Sequence, residues 1–308
     1  MTFREAYKIG TEELAAAGIE EASLDAWYLL EYVTGISRAV FLADSGKQME
    51  DTAKGMYLEV VRHRAERIPL QHITGVQEFM GLEFQVNRHV LIPRQDTEIL
   101  VETALEELSR QFQEFRNKKV LEERVRILDM CTGSGCILLS TLFYAREEAG
   151  RYGLSAGQKS EAVITGLGVD VSEDALCVAR QNGENLGIET EWQESDLFTR
   201  VEGNYDMILS NPPYIPSDVI ETLQPEVREH DPKLALDGKE DGLYFYRRIT
   251  EEGRQYLNPG GYLIFEIGSD QGKIVSAYMR ECGYTQVTIK KDLAGLDRVV
   301  SGVYDIRQ

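Results

Sequence analysis

No apolar run in the sequence approaches the roughly 18–20 residues that a membrane-spanning helix needs. The first residues, Met1-Thr2-Phe3-Arg4-Glu5-Ala6-Tyr7-Lys8, mix acids with bases. They lack the apolar centre of a secretory signal and the acid-poor, arginine-rich pattern of a transit peptide. A cytoplasmic protein without membrane association is expected. Cysteine is scarce: Cys131, Cys136, Cys177 and Cys282 form no C-x-x-C pair, and a chain of 308 residues does not depend on disulfide staples. The four histidines, His63, His72, His89 and His230, have no metal-ligand spacing. All eight residues read as structural or incidental, and no metal is expected.

Positive charge is also short. There are 33 Lys and Arg against 52 Asp and Glu, a net charge of −19. A nucleic-acid binder usually carries a basic face, so a protein or small-molecule partner is favoured and direct DNA binding is not expected. Arg62, His63, Arg64 and Arg67 are the candidates for a local basic patch. No Ser/His/Asp or Cys/His nucleophile set is apparent, and no internal repeat.

What is present is a globular composition. Hydrophobic residues make up 43%, enough for a sizeable core, and the length suits one large or two ordinary domains. Residues 1–71 read as a small helical N-terminal domain. It opens on a Thr2/Glu5 capping box and carries apolar stripes at Leu24, Trp27 and Tyr28 to Val33, and at Met56, Tyr57, Val60 and Val61. Residues 72–92 change to a period of two around Gly81 and read as a β-hairpin connector. From 93 to 308, strands and helices alternate. Asp96 reads as the N-cap of a helix whose face is Thr97, Leu100, Val101, Ala104, Leu105 and Leu108. Strands are expected at Val125–Met130, Val163–Val169, Tyr205–Leu209, Tyr262–Ile267 and Arg298–Tyr304. Ser172 caps one helix, which closes near Gly187. Another is expected near Leu243–Leu257, closed by Asn258-Pro259-Gly260-Gly261. Residues 146–161, polar and glycine-containing, look like an inserted loop. Alternation of this kind predicts an α/β fold with a parallel sheet covered on both faces.

Asp129-Met130-Cys131-Thr132-Gly133-Ser134-Gly135 is a glycine-containing turn at the end of the first of these strands. Glycines there let the backbone approach a ligand closely. Asp170 ends the next strand, where an acid can accept both ribose hydroxyls; the bland alternative is a helix-capping aspartate. The dinucleotide fingerprint fails because position 138 is Leu138. A cofactor with ribose and no phosphate fits better, and S-adenosylmethionine is such a molecule. Asp196 can take the adenine amino group while Leu197 and Phe198 pack on the ring; an acidic turn is the competing reading.

Asn211-Pro212-Pro213-Tyr214 follows a further strand at the same edge. Consecutive prolines fix the backbone and cannot continue a ladder. A plain strand terminator leaves the Asn and the aromatic unexplained. A carboxamide nitrogen is a poor nucleophile, because its lone pair is delocalised. The Asn211 oxygen can accept one of its N–H groups, the Pro212 carbonyl the other, and Tyr214 offers a flat face. Fixing the nitrogen carries much of such a rate enhancement.

At these residues the chain resembles the release-factor glutamine N5-methyltransferases, the PrmC/HemK family, over nearly its full length. The specific segments are Gly81–Phe84 with Val90–Glu98, the glycine turn and Asn211–Tyr214. Further ones are Ala235-Leu236-Asp237-Gly238 with Asp241-Gly242-Leu243, Pro259–Gly261, and Ala294-Gly295-Leu296-Asp297-Arg298. The resemblance implies a seven-stranded Rossmann-like S-adenosylmethionine-dependent methyltransferase sheet with an antiparallel last hairpin. It implies a helical domain in front, joined by the β-hairpin. The implied substrate is the glutamine of the Gly-Gly-Gln motif in peptide chain release factors. Cys131–Gly135 would form the cofactor turn, Asp170 would hold the ribose, Leu197 would lie over the adenine, and Asn211–Tyr214 would hold the glutamine. Cys131 stands where the family has glycine, so a positive φ there would be strained, and Gln95 replaces a common proline. An N-methyltransferase acting on an exocyclic base amine of DNA or ribosomal RNA shares the Asn-Pro-Pro-Tyr turn and is the alternative. The acidic charge speaks against it. A non-catalytic binding module is a third reading, against which the intact turn beside Asp170 argues. A monomer is expected.

Overall fold

The computed structural model describes residues 1–118, 124–152 and 163–305. The chain divides into two compact units, Met1–Val76 with Leu223–His230, and Gln77–Thr222 with Asp231–Gln308. The boundary falls inside the expected connector, whose strands belong to the second unit except for Val76.

The first unit is helical: α1 (Phe3–Ala16), α2 (Ala22–Thr34), α3 (Arg38–Asp44), α4 (Asp51–Ala65) and α5 (Leu70–Thr74). The capping box of α1 forms as expected, with the Glu5 amide donating to the Thr2 hydroxyl and the Thr2 amide to the Glu5 carboxylate. The α2 stripe divides. Trp27, Leu29 and Leu30 are buried, whereas Leu24, Tyr28 and Tyr32 are exposed. In α4, Tyr57 and Val61 are buried and Met56 is not. Two of the four candidates for a basic patch are tied to acids: Arg64 is buried and bonds Asp25 at 2.7 Å and Glu226 at 3.2 Å, and Arg67 bonds Glu226 at 2.9 Å.

The second unit holds a two-stranded sheet, β1 (Val76–Phe79) and β2 (Leu82–Gln85), and a seven-stranded one. The latter comprises β3 (Val125–Met130), β4 (Ile164–Asp170), β5 (Glu191–Glu194), β6 (Tyr205–Ser210), β7 (Leu257–Glu266), β8 (Tyr284–Lys291) and β9 (Asp297–Tyr304). Their order is β5-β4-β3-β6-β7-β9-β8. The first five are parallel, and β9 runs antiparallel to β7 and to β8. The helices are α6 (Glu98–Lys118), α7 (Cys136–Arg151), α8 (Glu173–Leu186), α9 (Pro225–His230, in the first unit), α10 (Lys233–Leu236), α11 (Tyr244–Gly253) and α12 (Gly272–Glu281). Two apolar clusters form on the sheet, one with α6 and α7, the other with α11 and α12. β3 and β6 pair directly, yet β4 and β5 extend the sheet from the other side of β3. The crevice beyond the carboxyl ends of β3 and β6 is therefore the topological switch point, where open α/β sheets take their ligands.

Three local expectations change. Asp96 lies inside a short 3-10 turn, Gln95–Thr97, instead of capping α6, and pairs with Arg298 at 3.0 Å. α11 stops at Gly253, and Asn258–Gly261 sits within β7 at an irregular register, Gly260 taking φ 83°; the turn residues make a bulge, not a helix stop. Residues 146–151 continue α7 and Tyr152 is its C-cap, so the inserted loop does not begin there; 153–161 lie outside the described residues.

Candidate functional site

A cavity of about 310 Å³ opens at the switch point. Of the residues singled out from sequence, Cys131, Thr132, Gly133, Ser134, Asp170, Asp196, Leu197, Asn211 and Pro213 line it, with Val90, Pro93 and Arg94 from the Val90–Glu98 segment. Asp129, Gly135, Pro212 and Tyr214 do not line it.

The turn after β3 bends sharply because Cys131, Gly133 and Gly135 all take positive φ, at 62°, 55° and 78°. Cys131 holds the strained conformation without glycine's freedom. Thr132 donates from its amide to the Val169 carbonyl at 3.0 Å and from its hydroxyl to Asp129 Oδ2 at 2.5 Å. Asp129 is fully buried beneath the turn. Burial pushes its carboxyl up to about 7, against the opposing Thr132 hydroxyl and Leu138 amide. It braces the turn from behind. Gly135 is needed for packing, since a Cβ there would come within 2.8 Å of Trp192. At Gly133 the same position is open space, so the turn leaves room for a ligand.

Asp170, at the end of β4, accepts from the Gly133 and Ser172 amides, each at 2.9 Å. Burial raises its carboxyl above the ordinary value and these amides resist the rise. Capping is thus part of its role, while Ser172 itself caps α8 through the Ala175 amide. Asp196 is not idle: Arg248 donates to its Oδ1 at 3.0 Å and also bonds Glu252 at 2.8 Å. Leu197 is buried with φ 46°.

Asn211 is half-buried directly after β6. The Ser210 hydroxyl bonds the Met130 carbonyl at 2.7 Å, tying the ends of β6 and β3 together. Tyr214 is packed into the second apolar cluster, and burial pushes its phenol up to about 12. Its backbone is held from outside. The Gln271 amide donates to the Tyr214 carbonyl at 3.0 Å, and Ile215 bridges to Asp237. A Cβ on Gly238 would lie 2.7 Å from the Tyr214 backbone, and one on Gly242, 2.3 Å from its carbonyl oxygen. The two Asp-Gly pairs of the sequence therefore carry glycine for close backbone approach.

Sequence reasoning missed several supports. Asn182, fully buried on α8, exchanges hydrogen bonds with the Gln85 backbone at 2.7 and 3.0 Å. It also donates to the Ser134 carbonyl at 2.9 Å, joining β2 to the cofactor-type turn. Arg298 bonds both Asp96 and Asp292 at 3.0 Å, linking two of the quoted segments. Glu266, at the end of β7, is only 2% exposed. An acid closing an otherwise apolar strand was its available signal, the same one that marked Asp129 and Asp170. Among the described residues no cluster of three His, Cys, Asp or Glu could hold a metal, and the four cysteines are free. No helix there is long and apolar enough to cross a membrane.

Together, the edge offers an open glycine turn with a flanking acid, and beside it a rigid carboxamide and backbone carbonyl. The first suits a ribose-bearing cofactor, the second a planar N–H donor. The PrmC N-terminal domain profile matches residues 5–75, and that of the methyltransferase small domain matches residues 112–224. The release factor glutamine methyltransferase of Caulobacter vibrioides is 37% identical over 308 residues, covering 98% of this chain and 96% of its own. That of Geobacter sulfurreducens is 37% identical over 290 residues, covering 94% and 92%. Among solved structures, the hMettl16 catalytic domain in complex with an RNA hairpin superposes with a TM-score of 0.50 at 17% identity, covering 79% of this chain and 82% of that one; it speaks to the fold alone.

Proposed function

We propose that this chain, which belongs to the release factor glutamine methyltransferase family, methylates N5 of the glutamine in the Gly-Gly-Gln motif of peptide chain release factors. The observation that carries the reading is the juxtaposition, at one cavity, of the open Gly133 turn flanked by Asp170 with the rigid Asn211–Pro213 turn. S-adenosylmethionine is the cofactor, and when bound it supplies the activated methyl group. The residues fit it. A ligand can approach the backbone at Gly133, where a Cβ would meet nothing, and Asp170 retains acceptor capacity beyond its two amide bonds.

Each residue then has a task. Asp170 accepts from the ribose hydroxyls. Asp196, already fixed by Arg248, and Leu197 border the adenine. Asn211 Oδ1 and the Pro212 carbonyl accept the two N–H groups of the substrate amide, and Tyr214 packs on its flat face, although Pro212 and Tyr214 stand next to the cavity lining and not in it. These acceptors fix the nitrogen's direction and stabilise the positive charge that develops on it. Incubating a release factor with the protein and methyl-labelled cofactor, followed by mass spectrometry, should find one methyl group on the Gly-Gly-Gln glutamine. Label on a nucleic-acid base instead, with the glutamine unmodified, would overturn the assignment.

A glutamine side chain occurs on most protein surfaces, so selection of one needs a further surface. The helical unit serves it in this reading: α2 leaves Leu24, Tyr28 and Tyr32 exposed at 42%, 45% and 52%, and tyrosine is enriched among the residues that anchor interfaces. Replacing all three by serine should lower kcat/KM for intact release factor about tenfold or more and leave a short Gly-Gly-Gln peptide unaffected. Equal losses on both substrates would end that role. The protein works as a monomer in the cytoplasm without direct DNA binding; its charge of −19 supports the last.

A further inference from the structure

We infer that Glu266 is a positioning residue whose carboxylate accepts from the Asn211 side-chain amide and so aims the Asn211 oxygen at the substrate nitrogen. The inference rests on the glutamine-methylation reading. The geometry begins with the sheet. Ser210 pairs with Phe265 in the β6–β7 register, so the next residues, Asn211 and Glu266, stand side by side at the carboxyl edge. Glu266 is 2% exposed, its Oε2 is buried without a hydrogen-bond partner, and the Thr97 and Asn211 side chains lie near enough to favour its anion. Its backbone is fixed by the Tyr246 hydroxyl, which donates to the Glu266 carbonyl at 3.0 Å. Neither cofactor binding nor the substrate contacts of the Asn211 turn use this carboxyl, and a buried acid is costly unless its surroundings engage it.

The chemistry supplies the reason. A carboxamide is nearly symmetric in shape but has an acceptor on one side and a donor pair on the other. If Asn211 turned its NH₂ toward the cavity, it would present donors to the donors of a substrate amide. An anion beside the NH₂ fixes the productive orientation, and the charge-assisted bond polarises the opposite oxygen, making it a better acceptor. Protonation undoes this: the neutral acid donates, and competes for the oxygen that the substrate requires.

Burial pushes the Glu266 carboxyl up to about 7, and the neighbouring Thr97 and Asn211 side chains pull the other way. The charged and titratable groups facing it are Arg298 on β9, Asp96 before α6, Tyr214, Tyr246 on α11 and Cys136 on α7. Arg298 favours the anion and Asp96 opposes it, while burial pushes both tyrosines and the thiol further up from their ordinary values. Burial thus brings the Glu266 carboxyl into the neutral range. The chemical step should therefore weaken as pH falls through about 7.

The test is single-turnover methyl transfer to release factor at saturating cofactor, from pH 5.5 to 8.5, for wild type, Glu266→Gln and Glu266→Leu. Calorimetric cofactor affinity is measured on each. The wild-type rate should rise about tenfold with pH. Glu266→Gln keeps an acceptor but cannot ionise, so it should lose the inflection and run about tenfold below wild type at pH 8. Glu266→Leu should fall about 10²-fold, with cofactor affinity unchanged in both. If Glu266→Gln retains both the wild-type rate and its inflection, or if the loss lies in cofactor affinity alone, the positioning role is wrong. A wild-type protein that binds cofactor yet never labels the glutamine would instead overturn the functional reading and this inference with it. Should Glu266→Leu fail to fold, the near-isosteric Glu266→Gln profile decides alone.

Discussion

The two halves of the cavity are built by different means. Around the β3 turn, conformation does the work: three residues at positive φ, Cys131, Gly133 and Gly135, shape a backbone cradle, and Asp129 braces it from beneath. Around the β6 turn, side chains and prolines do it: Asn211 supplies a carboxamide, Pro212 and Pro213 stiffen the chain, and Gln271, Gly238 and Gly242 hold Tyr214 from outside. A cradle for a cofactor must be close-fitting and can be made of backbone. A site for a weak nucleophile must present acceptors at fixed directions, and for that a rigid turn with one oriented carboxamide is suited.

Substitutions can break this contrast, in order of effect. Asn211→Ala should reduce the single-turnover rate by about 10²–10³-fold, as losing one oriented polar group does elsewhere, with cofactor affinity retained. A chemical step near the wild-type rate would dissolve the distinction at its strongest point. Asp170→Ala should act on the other half, weakening S-adenosylmethionine binding about ten- to a hundredfold, the cost of a charge-assisted hydrogen bond. Calorimetry reads it, and unchanged affinity would remove Asp170 from the cradle.

Each half also buries one acid whose carboxyl is pushed up to about 7, Asp129 in one and Glu266 in the other. Their folded-state values lie above the unfolded ones, so the folded chain binds more protons through the intervening range. Stability is then greatest below the unfolded pKa and declines as pH rises through about 7. Asp129→Asn should flatten the fall in Tm between pH 5 and pH 8 by about 5 °C; melting curves that fall in parallel would show that this acid does not titrate there. The smallest effect belongs to Cys131→Gly, which relieves the positive φ at the cost of backbone entropy. It should raise stability by at most about 1 kcal/mol in denaturant unfolding and leave the chemical step alone. Clear destabilisation would mean that the Cys131 side chain contributes packing that outweighs the strain.

Much of the molecule was legible without coordinates. Alternating strand and helix periods fixed the α/β class, because a strand buried on both faces must be apolar throughout. The acids ending β3 and β4 and the Asn-Pro-Pro-Tyr turn marked the carboxyl edge, because chemistry there depends on a few residues adjacent in the chain. β8 escaped that reading of the residues, and β5 was given no bounds by it. They lie at the sheet's two margins, where Glu191-Trp192-Gln193-Glu194 and the polar alternation of Tyr284–Lys291 carry no long apolar run. The bulge at Asn258–Gly261 escaped for another reason: the same residues close helices and bend strands, and only the pairing of β7 with β6 selects between them.

What the sequence determined by itself was therefore the set of local devices: the Thr2 capping box, the glycine turn, the double proline, the acids near the ends of β3 and β4. What only the tertiary structure decided was which distant residues stand behind them. Asp129 lies under Thr132, Gln271 holds Tyr214, Arg298 joins Asp96 to Asp292, and Glu266 stands beside Asn211. Local devices are legible because backbone sterics and near-neighbour hydrogen bonds act within a few residues. The partners are not, because Glu266 reaches Asn211 across 55 positions of chain. That adjacency is created by strand register, and strand register is a property of the folded sheet.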